Sequence, residues 1–596
     1  MSRLLWIGWA VFVSVLLVMA VQMTCHVPRM DDWGIVIAPY FQWQDGGGIW
    51  KFLQTAGNDS RHHSAQLVHA ATIKWWHWDP VVESLMCVAL GGVSAAMVVD
   101  WWVRLGVKSV RVLLAGLVSV FLVLSPMQWM NWSWGIQLCY MLPIAGTMAV
   151  FWVLSRDWVL WKRVLVAVVP CWVAVFAFAN GWLAVLLGGG MVLWEVRRDG
   201  WRKGGKVALG IWGVSAILAA WVYALDWPES RGITEEGLFS RLTGAPGEVV
   251  WFYLQLLGAP LADVFVTGDR TARVAVQGWV SVSVAVVSVG VLVACGVHLW
   301  RRRRELSGGE VVPWVVLILW GLGNAAAVTL ARWGAEGFGP FQARYPGFTV
   351  WYFVGLLGLL AMTRGAGWKW VMRGMVVVMG VGAGLGGLQG WRDGLKAARN
   401  GHFMEAAVAM RHVAPEPVFL ESTRPWDAGN TVKLLDRLDE EGLLHVKTVR
   451  SEKVKESVGE VGSWATGQLS EVEVVGGGLK VSGWAFDGES RGPLRAVAIS
   501  YQAVDGEEKW LGIAGRNTVQ RKKAEKAGAR VLEDRIGWVY EPLTGEERAF
   551  ISGTRLKLKR REVPTGRLTI RAYGYDPVGG RFAPLEGSLE VELPAK

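Results

Sequence analysis

The chain has 596 residues, of which 52% are hydrophobic and only 19% charged, and its mean hydropathy is +0.31. Such a composition excludes an ordinary soluble globular domain and points to membrane spans. The net charge of +11 comes with basic residues gathered in short clusters between apolar runs, so it implies no nucleic-acid partner. The 38 tryptophans suit a protein with much surface at the membrane–water boundary, where an indole ring is half buried and its N–H meets water. Five cysteines, four of them in apolar stretches and none after residue 295, give no disulfide framework. An exported domain in this chain would fold without disulfides, as is common in bacteria.

The first apolar run, residues 4–23, carries no charge and precedes no small-x-small cleavage site. Cys25 follows Val21-Gln22-Met23-Thr24, a poor lipoprotein processing site, so the run reads as an uncleaved span. Further runs long enough for a hydrocarbon core of about 30 Å fall at 81–102, 110–126, 136–154, 164–179, 182–196, 207–225, 277–299, 311–331, 348–363 and 371–389. The stretch 249–266 is interrupted by Gly258, Pro260 and Asp263. If it crossed, Arg301–Arg304 would fall on the opposite side from the other basic clusters, so it is expected to be interfacial or re-entrant. That leaves about eleven spans, a cytoplasmic N-terminus, and extracytoplasmic loops at 24–80, 127–135, 226–276 and 332–347.

Residues 391–462 read as a helical extracytoplasmic connector. From 463 to 596, short alternating segments such as 479–486, 494–503, 566–575 and 587–593 predict a β-sandwich accessory domain. The expected fold is thus a mainly α polytopic membrane domain, 1–390, followed by an extracytoplasmic β-sandwich. Trp484 and Trp538, in paired Gly-Trp strand signatures, read first as core residues and second as a sugar-stacking face. The basic stretch Arg516–Arg530 reads as a solvated loop or helix.

Polar groups collect on the outer loops. Asp31 and Asp32 lie in Pro28-Arg29-Met30-Asp31-Asp32-Trp33, just past the first span, and a carboxylate there suits a general base or a sugar ligand. A solvated turn is the plain alternative. Asn58-Asp59-Ser60-Arg61-His62-His63 precedes an amphipathic run, Gln66–Trp78. His62 and His63 with an aspartate are a weak metal set, because adjacent histidines diverge on a helix, so no metal site is assigned and metal dependence is left open. In the block Ser125–Gln137, Trp132 and Trp134 suit interface anchoring, which does not explain Gln128, Asn131 and Gln137. Arg344, followed by Tyr345, suits an anion clamp, with a snorkelling arginine as the alternative.

Taken in order, these blocks resemble the GT-C superfamily of integral-membrane glycosyltransferases, in a bacterial branch. Asp31-Asp32-Trp33 is similar to the acidic motif of the first outer loop, and Asn58-Asp59-Ser60-Arg61-His62 to an Asn-Glu-His-Arg-Ile motif, departing from it at Asp59 and Ser60. Ser125–Gln137 is similar to a Ser-Pro-x-Gln-x-x-Asn-Trp-x-Trp-Gly-x-Gln block, with Phe178-Ala179-Asn180-Gly181 and Arg344-Tyr345 matching shorter ones. The resemblance covers roughly residues 1–390. It implies transfer of a sugar from a polyprenyl-phosphate donor to an extracytoplasmic glycan, lipid or protein acceptor, in a bacterial cytoplasmic membrane and among membrane lipids. It implies Asp31 or Asp32 as the base and Asn58, Arg61, His62, His63, Gln128, Asn131, Trp132, Trp134, Arg344 and Tyr345 as substrate-binding residues. The rival readings are a polar-lipid or glycan transporter, a glycan ligase or polymerase, and a membrane-anchored binding protein.

Overall fold

The computed structural model describes all residues except 54–55, 58–59, 108, 200–203, 226–242, 263–269, 303–307, 335–338, 414–427, 459–463, 476–477, 492–493, 505, 518–536, 541–565 and 594–596. Asn58 and most of Arg516–Arg530 therefore lie outside the described residues. Two compact units emerge: residues 1–23, 34–72 and 81–395 form one, and residues 24–33, 73–80 and 396–596 the other.

The first unit is helical. Its main elements are α1 (Ser2–Met23), α2 (His63–Trp76), α3 (Pro80–Leu105), α4 (Val110–Val123), α5 (Leu138–Leu154), α6 (Leu160–Val175), α7 (Trp182–Asp199), α8 (Gly205–Ala224), α9 (Pro246–Gly258), α10 (Arg270–Arg301), α11 (Gly308–Arg332), α12 (Pro346–Met362) and α13 (Ala366–Ala409). Among the described residues, nine helices are long and apolar enough to cross a membrane. Of the expected spans, α6 with 16 residues and α12 with 17 fall outside that set, and α4 and α5 reach it only with the helical turns beside them, as Val110–Ser133 and Gly135–Leu154. The doubtful stretch becomes α9, whose 13 residues rise about 20 Å, less than a bilayer core. The chain is thus mainly α and polytopic by length and composition.

Helix α1 buries Leu5, Leu16, Met19, Ala20 and Met23 and leaves most other side chains outward, as a lipid-facing helix does. Close approaches need small residues, since apolar helices in lipid associate through packing. A Cβ on Gly358 would lie 2.0 Å from the Trp314 ring, and one on Gly321 2.5 Å from the Tyr352 nitrogen, so α11 and α12 touch along their backbones. Likewise a Cβ on Gly390 would lie 2.3 Å from Met127 Cα, which seats α13 on the Ser125–Met127 turn. The loop after α1 is more regular than its sequence suggests. Trp33–Ile37 is π-helical and leads into the short α-helix Ala38–Gln42, after which the backbone kinks at Asp45 and Gly46.

Helix α13 has 44 residues, about 66 Å, roughly twice a bilayer core, and its end from Lys396 belongs to the second unit. There follow α14 (Ala428–Glu440) and eight strands: β1 (Ala465–Val475), β2 (Gly478–Asp487), β3 (Ala496–Ala503), β4 (Lys509–Asn517), β5 (Gly537–Tyr540), β6 (Gly566–Asp576), β7 (Arg581–Pro584) and β8 (Leu589–Leu593). They pair antiparallel in the order β8-β6-β3-β4-β5-β2-β1, with β7 on β6. Strand β4 joins the two halves of this order, pairing β3 through Lys509–Ala514 and β5 through Gly515–Asn517. Leu469 N–H donates to Glu586 O and Glu586 N–H to Gly467 O, so the approach to the last strand meets the first, and Val481, Ile499 and Ile570 fill the core within. Trp484 belongs to this unit's buried set and stacks on Phe486 at 5.9 Å, which removes it as a sugar platform.

Glu405 ties the second unit together. Its carboxylate is wholly buried and takes hydrogen bonds from the His26 backbone N–H (2.8 Å), from His26 Nδ1 (2.8 Å) and from Arg495 (3.0 Å). One turn earlier, the Cys25 thiol donates to Gly401 O at 3.6 Å, and burial, then the Glu405 charge, push its pKa up to about 12. Glu405→Ala is therefore expected to cost about 3–5 kcal/mol, because Arg495 and His26 lose a buried partner. It should also turn Cys25 from inert to rapidly labelled by a maleimide. Unchanged labelling would show that the carboxylate does not hold this segment.

Candidate functional site

At one end of the first unit, the start of α12, the Ser125–Gln137 block and the α6–α7 turn bring polar and aromatic groups together. Arg344 is 7% exposed, and its Nε donates to Gln342 Oε1 at 3.0 Å. Its guanidinium carbon lies 5.7 Å from the Tyr140 ring centre and 5.5 Å from that of Tyr345, within cation–π range. Tyr140 packs on Phe178 at 4.7 Å, and Phe178 on His62 at 5.7 Å. One aromatic chain therefore links Arg344 to His62.

Asn131 is completely buried, and its amide donates to Gln128 Oε1 (3.3 Å) and to the Arg344 carbonyl (3.1 Å). Gln128 in turn donates to the Leu122 and Val123 carbonyls, which α4 leaves open at its C-terminus. Gly347 must stay small, since a Cβ there would lie 2.8 Å from both amides. Around this cluster, Asn131 Oδ1, both side-chain atoms of Gln137 and the Tyr345 hydroxyl are buried with no hydrogen-bond partner among the described residues. Buried polar atoms left so cost about 1–3 kcal/mol each, which marks the place as built for a polar guest or water.

Other expected site residues take different roles. Arg61 is fully buried, and its Nη2 donates to the Leu225 carbonyl at the end of α8 (2.6 Å). That use of the guanidinium favours a helix cap over a phosphate clamp. His62 and His63 diverge: His62 Nδ1 meets the Ala177 carbonyl at 3.1 Å, while His63 stacks on Phe176 at 5.3 Å. Trp132 is buried, donates to Ser125 O at 2.9 Å, and would meet a Cβ on Gly91, while Trp134 is 5% exposed. Both sit inside the unit, which corrects the expectation that they anchor at the headgroups.

Burial, then the Arg61 and His62 charges, hold His63 at about 4, so it is neutral at pH 7. Its folded pKa lies below the ordinary 6.5, so its neutral-state stabilisation is intact above 6.5 and is lost as pH falls towards about 4. His63→Phe keeps a ring on Phe176 and cannot protonate. The wild-type melting temperature should fall between pH 6.5 and 4, and less steeply in the variant. Parallel slopes would place the acid sensitivity elsewhere.

In the second unit, Asp32 is 5% exposed and accepts the Arg29 N–H at 2.9 Å, closing its own turn, with Met30 at a positive φ of 46° between them. Asp31 is half-buried beside it.

One constellation was missed from the sequence. His69 Nδ1 lies 2.7 Å from Glu83 Oε1, and Thr72 donates to the same oxygen at 2.7 Å, all three buried. A Cβ on Gly135 would strike Glu83 Oε2 at 2.2 Å, so the close approach of that turn to Glu83 depends on a glycine's absent side chain. A carboxylate in the first turn of a span, one helix away from a histidine, was the available signal.

The chain matches no family model and no curated protein. Among solved structures it is similar to the crystal structure of ArnT from Cupriavidus metallidurans in the apo state, at 13% identity over 69% of this chain and 81% of that chain, with a TM-score of 0.29. A likeness at that score carries no argument about activity, and the GT-C resemblance stands on the motifs themselves.

Proposed function

We propose that the chain is a membrane glycosyltransferase that moves a sugar from a polyprenyl-phosphate donor to an extracytoplasmic acceptor. The observation that carries this reading is the buried Arg344 guanidinium, flanked by Tyr140 and Tyr345 and bordered by unpartnered polar atoms of Asn131, Gln137 and Tyr345. A guanidinium held in a low-dielectric setting suits the phosphate of a lipid-borne donor, whose headgroup lies where the helices end.

In the proposed reaction the acceptor oxygen bonds to the anomeric carbon while the bond from that carbon to the phosphate oxygen breaks. The phosphate leaves with the bonding electrons, and Arg344 stabilises the charge it gains. The acceptor proton passes to a carboxylate of the pair, with Asp31 preferred from its place in the resembling motif. The unpartnered Asn131 Oδ1 and the Gln137 side-chain amide suit sugar hydroxyls.

The test is purified protein in lipid nanodiscs given a panel of synthetic polyprenyl-phosphate sugars, with released polyprenyl phosphate as readout. Acceptor-dependent release from one donor supports the reading. No consumption of any donor, together with passage of a labelled lipid across proteoliposomes, would replace it with transport.

A further inference from the structure

Chain order puts the segment 24–33, with its acidic pair, between α1 and the other helices of the first unit. Its packing belongs elsewhere, in the second unit with the residues from Lys396 onward. The same holds for 73–80, where α2 gives way to α3. Among the described residues, three of the four non-glycine residues at a positive φ lie in these two short segments: Met30 at 46°, His77 at 50° and Trp78 at 53°. A residue with a Cβ holds that left-handed conformation only where its surroundings fix it.

The acidic turn closes on itself. Arg29 N–H donates to the Asp32 carboxylate at 2.9 Å, Asp32 N–H to the Arg29 carbonyl at 3.1 Å, and Trp33 N–H to the Met30 carbonyl at 3.3 Å. These bonds shape the turn but do not set its place in the fold. That place is set from far along the chain. Glu405, near the end of α13, accepts from the His26 N–H and from His26 Nδ1, five residues before Asp31. One turn earlier, a Cβ on Gly401 would stand 3.0 Å from Cys25 Cβ, so helix and loop touch closely there. The other Glu405 oxygen accepts from Arg495 at 3.0 Å. Arg495 directly precedes β3, whose Ala496 pairs with Tyr575 of β6. A chain of bonds thus runs from the sheet through Arg495 and Glu405 to the acidic loop. The second segment is held in the same way. His445 Nε2 donates to the His77 carbonyl at 2.9 Å, and Lys447 N–H donates to the Pro577 carbonyl, between β6 and β7, at 2.9 Å.

We propose that the C-terminal unit clamps the acidic loop, with Arg495 and Glu405 as positioning residues for Asp31 and Asp32. This rests on the reading of that pair as the base of the transfer proposed above. Both residues act through His26 and do not meet the reacting groups. A base must stand within hydrogen-bond reach of the proton it takes, and a displacement of about 1 Å is enough to cost much of the rate. A turn with a left-handed methionine at its centre needs such an outside hold to keep its carboxylates in place. The strands are on this account part of the catalytic frame, although they lie more than 430 residues from the loop in sequence.

The experiment is hydrogen-exchange mass spectrometry of the full chain in nanodiscs, read at amides 26–33, with donor turnover measured on the same samples. Arg495→Ala removes a side chain that is 35% exposed, so the fold should survive it. Exchange at 26–33 should rise by about threefold to fivefold, the value of one part-exposed ion pair. kcat should fall while the KM for donor stays unchanged. Arg495→Lys returns a cation to Glu405 and should restore both. Arg571→Ala is the control, since it breaks a similarly exposed pair with Glu508 in the same sheet. It should change neither exchange at 26–33 nor turnover. Unchanged exchange in Arg495→Ala, or an equal rise in Arg571→Ala, would overturn the clamp. Faster exchange with full turnover would leave the clamp standing and overturn the base role of the acidic pair, so the two readings fail separately.

Discussion

Asp31→Asn is expected to abolish sugar transfer in a protein that still folds and inserts. An amide keeps the volume and polarity of the side chain but cannot accept the acceptor's proton, and loss of a general base costs about 10²–10⁴ in rate. Asp32→Asn should leave most of the activity, because an asparagine carbonyl can still accept the Arg29 N–H that closes the turn. Asp32→Ala removes that acceptor and should lower stability, with activity falling only as far as folded protein is lost. Asp31→Glu, which restores a carboxylate on a longer stem, should recover part of the rate. Donor turnover in nanodiscs at matched amounts of folded protein measures all four. Full activity in both asparagine variants would remove the pair from the mechanism, while a dead Asp32→Asn beside an active Asp31→Asn would exchange their roles.

The spans were legible because an apolar run announces itself locally. The stretch 249–266 is less legible: its first part lies in the 13-residue helix α9. Side-chain roles were less legible, since they depend on partners far along the chain. Arg61 reads as a substrate-binding cation until Leu225, 164 residues later, takes its guanidinium. Trp132 and Trp134 have the composition of an interface belt, and only the approach of Gly91 and the Ser125 carbonyl shows Trp132 to be core. His69 and Glu83 look ordinary one at a time, and the turn around Pro80 makes them a pair. In the C-terminal unit the strand segments follow local alternation. Which strand pairs with which depends on partners far along the chain, which alternation does not encode.

Arg344→Ala is expected to lower transfer by about 2–4 kcal/mol in transition-state terms, roughly thirtyfold to a thousandfold, if the side chain meets the leaving phosphate. The fold should tolerate the change. The turn that carries Arg344 is held by its backbone, with Tyr345 N–H donating to Gln342 O, Phe348 N–H to Tyr345 O, and Asn131 to the Arg344 carbonyl. The lysine variant is the sharper instrument. Lysine preserves the charge and can lie against Tyr140 and Tyr345, but it presents a point charge where arginine presents a fork of parallel N–H groups. A clamp that grips two phosphate oxygens should therefore lose most of its effect in Arg344→Lys, at least tenfold in turnover, although long-range electrostatics are unchanged. An arginine that only reaches towards the headgroups would be replaced by lysine with little loss, because either stem is long enough. Turnover of a synthetic polyprenyl-phosphate sugar by the two variants, read against thermal stability in the same detergent, separates the cases. Near-normal turnover in Arg344→Lys would defeat the clamp. Arg61 and His63 are poor substitutes, the first engaged at Leu225 and the second neutral at pH 7, so the phosphate would then have to be held by hydrogen bonds from the Asn131–Gln137 block.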